Sequence, residues 1–123
     1  MASKHALIVD DSADNREICM WLLDDEGITY DCAEDAQSGL DILETKKFDF
    51  VLMDISLPGM DGKEATKIIR ANDKLKNLPV IAVTAHAVMD ELDAIWASGV
   101  TDIINKPIDF DELTASIHKH IKH

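Results

Sequence analysis

The sequence predicts an α/β domain in which an open parallel sheet lies between two layers of helix. Three observations carry this: five short, nearly unbroken apolar runs, five amphipathic segments, and strict alternation of the two from end to end. Near-continuous apolar strands are buried on both faces, as in a parallel sheet covered by crossover helices. Five repeats are too few to close a barrel, so the doubly wound, open arrangement is expected. No linker, repeat or low-complexity tract interrupts the 123 residues, and one domain over 1–123 accounts for them all.

The first run, Ala6-Leu7-Ile8-Val9, stops abruptly at Asp10-Asp11. Ser12 is placed to cap the helix that follows, in which Ile18, Cys19 and Leu22 share helical spacing and which Gly27 closes. A weaker strand, Ile28 to Cys32, leads to Asp35, the cap of a helix with Ala36, Leu40 and Leu43 on one face. The third strand, Phe50-Val51-Leu52-Met53, also ends in a carboxylate, Asp54, and Pro58-Gly59 marks a loop. Asp61 and Glu64 have capping-box spacing ahead of an apolar stripe of Ala65, Ile68 and Ile69. Pro79 precedes the fourth strand, Val80-Ile81-Ala82-Val83, which ends in Thr84. A helix with Val88, Leu92 and Ile95 on one face begins near Ala87 without a capping side chain and closes at Gly99. The last strand, around Ile103-Ile104, ends in Asn105-Lys106-Pro107; Asp109 and Glu112 then cap a helix carrying Leu113, Ile117 and Ile121.

Charge narrows the function. With 24 acidic and 12 basic residues the formal net charge is −12, which repels phosphate backbones and anionic lipid and argues against unaided binding to nucleic acid or membranes. It suits divalent cations wherever carboxylates converge. No apolar run exceeds six residues, so neither a membrane span nor an export signal is expected, and a cytoplasmic location follows. Cys19 and Cys32 accordingly read as reduced, packed thiols.

In an open α/β sheet, ligands bind beyond the carboxyl ends of the strands. Strand one delivers Asp10 and Asp11 there, strand three Asp54, strand four Thr84 and strand five Lys106. Any one Asp after a strand is ordinarily a turn or cap residue, and Asp11 has that reading too. Three clustered carboxylates, however, repel one another and raise each other's pKa unless a cation joins them. Oxygen donors favour a hard cation such as Mg²⁺. An aspartate flanked by that metal and by Lys106 is suited to attack phosphorus and form an aspartyl phosphate. Thr84 is placed to donate a hydrogen bond to the new phosphoryl group and draw the following loop inward.

The motifs Leu7-Ile8-Val9-Asp10-Asp11, Val51-Leu52-Met53-Asp54, Pro58-Gly59-Met60-Asp61-Gly62, Val83-Thr84-Ala85 and Lys106-Pro107 together resemble the receiver domain of two-component response regulators. The resemblance runs over essentially the whole chain and is strongest to the stand-alone, chemotaxis-regulator-like form. It implies a three-layer (βα)5, flavodoxin-like fold; the strand order 2-1-3-4-5 comes from the family, not from the residues. It implies that Asp54 is the phosphoacceptor, that Asp10, Asp11, Asp54 and the Ser56 backbone carbonyl hold Mg²⁺ (or Mn²⁺), and that Thr84 and Lys106 are the switch hydroxyl and phosphate-contacting lysine. It further implies that small Ala85 leaves the phosphoryl group accessible, and that the peptide before Pro107 is cis. The partners implied are a histidine kinase or histidine phosphotransfer protein as donor and a downstream protein target. The domain would act alone or, as the second reading, within a hybrid histidine kinase. Where the family often has Tyr or Phe, three residues before the lysine, this chain has Ile103. The signal is therefore expected to pass through the loop after strand four and the helix beginning near Ala87.

Rival readings fare worse. Phosphatases and mutases that use an aspartyl phosphate typically carry a second Asp two residues after the nucleophile, where this chain has Ser56. A flavin module would cradle phosphate on a hydroxyl- and glycine-rich loop after strand one, but Asp10-Asp11-Ser12-Ala13-Asp14-Asn15 would repel it. A degenerate interaction domain would have no reason to keep all five groups. His86 is open to two readings, a modulator of water attack near Thr84 or a plain surface residue. His118, His120 and His123 read as a solvated basic helix end. Trp21 and Trp96 would be partner anchors if exposed; core or half-buried packing is the commoner fate, and no role is assigned to them.

Overall fold

The structure is a computed structural model and describes residues 4–85 and 88–121. Ten elements alternate: β1 (His5–Val9), α1 (Ala13–Asp25), β2 (Thr29–Ala33), α2 (Ala36–Leu43), β3 (Phe50–Asp54), α3 (Gly62–Ala71), β4 (Val80–Thr84), α4 (Met89–Ala97), β5 (Asp102–Asn105) and α5 (Phe110–His120). All four strand pairings are parallel, and the sheet order is β2-β1-β3-β4-β5. The doubly wound fold is as expected.

The unbroken apolar character of the strands has a direct cause. Side chains alternate across a sheet, so successive residues must satisfy two different cores. Leu7, Val9, Val51, Met53, Val80 and Ala82 face the layer of α2, α3 and α4. Their neighbours Ala6, Ile8, Phe50, Leu52 and Ile81 face α1 and α5, where Cys19, Leu22, Leu23, Leu113 and Ile117 cover them. Fully burying each such large side chain contributes about 1.5–3 kcal/mol.

Ser12, Asp35, Asp61 and Asp109 all cap their helices, accepting from the amides of Asn15, Ser38, Glu64 and Glu112. Each such cap is worth roughly 1 kcal/mol. Helix α4 differs: its cap residue is Val88, which makes no side-chain bond to the first turn. Gly27 follows α1 at φ 72°, in the left-handed region that glycine enters freely.

Several details depart from the expected packing. Ile68 is 45% exposed, and α3 instead buries Gly62, Ala65, Thr66 and Ile69. Val88 precedes its helix and is 61% exposed, leaving Ile95 as the one buried side chain of α4. Trp21 and Trp96 project outward at 57% and 49%. His118 and His120 each have an acidic partner on a different element, Glu26 at the end of α1 and Asp102 on β5. Their opposite directions follow from a spacing of two on a helix. Cys19 is buried and Cys32 half-buried, both unpaired; burial, with Asp10 adding to it, pushes the Cys19 thiol up to about 12. His86, Ala87 and His123 lie outside the described residues.

Candidate metal centre

The register of the sheet explains why chemistry collects at one edge. Val9 closes β1 beside Met53, Asp54 closes β3 one residue beyond and beside Val83, and Thr84 closes β4 beside Asn105, so four strand ends stop at nearly the same level. The chain leaves that edge through backbone bonds that hold the next residues in place. The Asp10 amide donates to the Ala33 carbonyl (3.1 Å), the Ile55 amide to Val83 (3.0 Å) and the Lys106 amide to Thr84 (2.8 Å). The Lys106–Pro107 peptide is cis.

Asp10, Asp54 and Thr84 are 4%, 3% and 2% exposed, whereas Asp11 is at the surface. Carboxylate oxygens of Asp10, Asp11 and Asp54 lie within 4.8 Å of one another. The Lys106 ammonium reaches this cluster, 3.5 Å from Asp10 Oδ2 and 3.4 Å from Asp54 Oδ1. Backbone donors orient the other lone pairs: the Ser12 amide donates to Asp10 Oδ1 (2.9 Å) and the Ser56 amide to Asp54 Oδ1 (3.1 Å). Burial raises the Asp54 carboxyl above its ordinary value, and the negative charge of Asp10 raises it further; the Ser56 amide and Lys106 oppose this without reversing it.

The donor set fits a divalent cation. Three carboxylates meet one ammonium, so the cluster is left with uncompensated negative charge, and oxygen is the only donor type offered. Ser56 lies two residues past Asp54 and is exposed, as is Ala85 beyond Thr84. Ile103 is half-buried and packs against the core on the α2, α3 and α4 side.

Two further residues belong to the site and were not expected. Arg16 on α1 turns back to the strand edge: its Nη1 donates to the Asp10 carbonyl at 2.7 Å and its Nη2 lies 3.6 Å from Glu34. It thereby holds the peptide that joins the two acidic residues. Gly62 begins α3 hard against the end of β3, its amide donating to the Ile55 carbonyl at 3.1 Å. A Cβ there would collide with the Asp54 carbonyl oxygen and stand 2.9 Å from the Ile55 Cα. Arg16 had a weak sequence signal, a cation four residues past the Ser12 cap; Gly62 read only as part of a motif.

Comparison with known proteins agrees with this geometry. The family profile of the response regulator receiver domain matches residues 6–118. The chain is 38% identical over 114 residues to chemotaxis protein CheY of Pseudomonas aeruginosa, covering 92% of each. It is 37% identical over 116 residues to the sensor protein GacS of Pseudomonas syringae, covering 92% of this chain and 13% of that protein. Among solved structures, Vibrio cholerae chemotaxis protein CheY4 superimposes with a TM-score of 0.91 at 26% identity, over 98% of this chain and all of that one. The receiver domain of a Pseudomonas aeruginosa sensor histidine kinase, which has a magnesium ion coordinated in its active site cleft, matches with a TM-score of 0.89 at 28% identity, over 97% of this chain and 98% of that one. With the fold, the strand-end carboxylates and the sequence in agreement, the chain belongs to the response regulator receiver domain family, the signalling domain of two-component systems.

Proposed function

We propose that residues 1–123 form a single receiver domain that accepts a phosphoryl group on Asp54 from a phosphohistidine. The observation that carries this reading is the Lys106 ammonium lying between the buried Asp10 and Asp54 carboxylates. An Asp54 oxygen forms the O–P bond as the N–P bond of the phosphohistidine breaks, and the freed imidazole nitrogen takes up a proton. Lys106 is positioned to neutralise charge on the phosphoryl oxygens as the bond forms. The small side chain of Ala85 leaves the approach open. Asp10, Asp11, Asp54 and the Ser56 carbonyl would hold Mg²⁺, or Mn²⁺ in its place, and the bound cation would offset carboxylate repulsion and share in neutralising the phosphoryl group. No separate substrate is turned over; the domain promotes its own phosphorylation and dephosphorylation.

The output is a change of shape. Thr84 donates its hydroxyl to the phosphoryl group and draws in the loop after β4, which leads directly to the uncapped start of α4. The altered surface near α4 and α5 regulates a downstream protein. The donor, a histidine kinase or a histidine phosphotransfer protein, docks over the acidic rim and α1. A net charge of −12 disfavours nucleic acid and membrane surfaces as partners, and a cytoplasmic setting fits this circuit. The reading holds whether the domain works alone or within a longer sensor kinase.

Intact mass after incubation with acetyl phosphate, with and without Mg²⁺, tests the proposal. A Mg²⁺-dependent gain of one phosphoryl group, lost in Asp54→Asn, is expected. No gain together with no Mg²⁺ binding would refute the assignment of the acidic site.

A further inference from the structure

Among the described residues, half of the large apolar side chains at the surface fall in one stretch. Val88, Met89 and Trp96 are exposed together, Met89 at 75%, whereas Trp21, Ile68 and Phe110 stand on three separate helices. Half-buried Leu92 lies between them. Met89, Leu92 and Trp96 are spaced i, i+3 and i+7, and Val88 stands four before Leu92, so the four line one side of α4. The helix is anchored through Ile95, its one buried side chain, and the stripe is left to solvent.

Carboxylates edge the stripe. Asp93 is four residues from Met89 and three from Trp96, and Asp90 stands beside it. Glu91, three residues from Val88 and four from Ile95, lies on the opposite border. All three are exposed and have no ion-pair partner among the described residues. Asp90 and Glu91 suit the positive start of their helix, but Asp93 lies beyond the first turn and gains little from it. No Lys or Arg occurs in α4. β5, which follows, adds only Asp102, already met by Ser116 and His120. Arg70, at the far end of α4, is committed to the carbonyls of Lys76, Leu78 and Gly99.

We propose that α4 docks a basic amphipathic helix of a partner protein. The inference rests on the output reading above and names the chemistry of its target. Apolar residues at helical spacing on the partner seat on Met89, Leu92 and Trp96, and Lys or Arg on both flanks meet Asp93 and Glu91. The Trp96 indole supplies a large rigid contact and Met89 a pliable one. Charge decides among the occupants. A second copy of α4 would set these carboxylates against their own kind, and an acidic peptide, nucleic acid or anionic lipid would be repelled.

The probe is a synthetic Leu/Lys peptide of about eighteen residues, long enough to hold a helix, with leucines at i, i+3, i+4 and i+7 and lysines on both flanks. Its counterpart carries glutamate for every lysine. Titration of the full chain, followed by amide NMR shifts, should show saturable binding of the lysine peptide alone, with shifts concentrated at residues 88–97. Trp96→Ala and Asp93→Lys should each weaken it by about tenfold or more. Both residues are exposed, and acetyl phosphate labelling of Asp54 in these variants should match wild type, which separates a lost surface from a lost fold. Trp21→Ala is the control, because Trp21 is also exposed and has Asp14, Glu17, Asp24 and Asp25 on its own helix; affinity should not change. No saturable binding, equal binding of the glutamate peptide, affinity indifferent to the α4 variants, or shifts and losses that follow Trp21 instead would each overturn the proposal.

Repeating the titration on phosphorylated protein and on Asp54→Asn separates this inference from the output reading. Binding that changes with phosphorylation bears out both. Binding equal in every form keeps the docking face and overturns the output reading. No binding in any form, beside phosphorylation-dependent amide exchange in α4, overturns the docking face and keeps the output reading.

Discussion

The Lys106 ammonium stands almost equidistant from Asp10 and Asp54, at 3.5 and 3.4 Å, and so serves two buried carboxylates with one charge. On the proposed reading, its removal should have opposite consequences for Asp54 labelling and for metal binding. Lys106→Met should slow acetyl phosphate labelling of Asp54 by about a hundredfold or more, as loss of a preorganised charge does. The same change should tighten Mg²⁺ binding, because a competing cation is gone. Labelling rates and calorimetric Mg²⁺ titration read the two effects separately; a parallel loss of both would contradict the role given to Lys106.

Like-charge repulsion among Asp10, Asp11 and Asp54 predicts a divergence in thermal stability. Without divalent cations, Asp10→Asn should melt at or above the wild-type temperature. Added Mg²⁺ should raise the wild-type melting temperature, by the equivalent of about 2.7 kcal/mol at a hundred times the dissociation constant, and leave the variant nearly unmoved. Paired melts with and without Mg²⁺ provide the check.

Arg16 touches the Asp10 carbonyl, so its role is one of positioning. Arg16→Met should weaken Mg²⁺ binding by about 10–100-fold, the usual effect of losing a residue that orients metal ligands. Arg16→Lys should recover part of that loss, and saturating Mg²⁺ should restore labelling in both. A variant whose defect persists at saturating Mg²⁺ would point to damage elsewhere.

Gly62→Ala places a methyl group against the backbone of Asp54 and Ile55. Backbone yields less readily than a side chain, and overpacking of this kind costs about 1–3 kcal/mol. Urea denaturation should register that loss, with slower labelling if Asp54, whose backbone shifts, is the phosphoacceptor as proposed.

Asp102 governs part of the acid limb of stability. Burial alone would raise its carboxyl, but the Ser116 hydroxyl, the Ile103 amide and His120 together hold it below its ordinary value. A carboxyl lowered by folding stabilises the fold above its unfolded pKa, and that contribution fades as pH falls through the folded value. Asp102→Asn should therefore be less stable than wild type at neutral pH. The gap should narrow as the solution is acidified below about pH 4, near the unfolded carboxyl pKa. Chemical denaturation across this range gives the curve.

What sequence reading captured, and what it did not, follows from the range of the interactions. The strands and the four polar caps are local signals, a few adjacent residues whose chemistry is complete in itself. The acidic cluster was legible because the doubly wound rule brings strand ends to one edge, so Asp10, Asp54 and Lys106 could be gathered without knowing distances. Strand order is long-range and came from the family. Ile68 was misplaced because apolar spacing marks a helical face without telling how wide that face is. Arg16 and Gly62 escaped for a related reason: one acts through the turn that brings Glu34 and the Asp10 carbonyl together, the other through a backbone approach.

Helix α4 is held unequally at its two ends. Val88 contributes no cap, and Ile95 is its one buried side chain, yet the Gly99 carbonyl just beyond its far end accepts a 2.8 Å bond from Arg70 Nε. The same guanidinium also donates to the Leu78 carbonyl at 2.7 Å, tying that end to the core-packed α3–β4 loop. A helix held in this way, nine residues and about 14 Å long, would turn as a lever about Gly99. A tilt of about 10° about that point, too small to disturb Ile95 greatly, sweeps Met89 through about 2.4 Å at this helical rise. Displacement in such a tilt grows with distance from Arg70 and is greatest for the exposed side chains at the opposite tip.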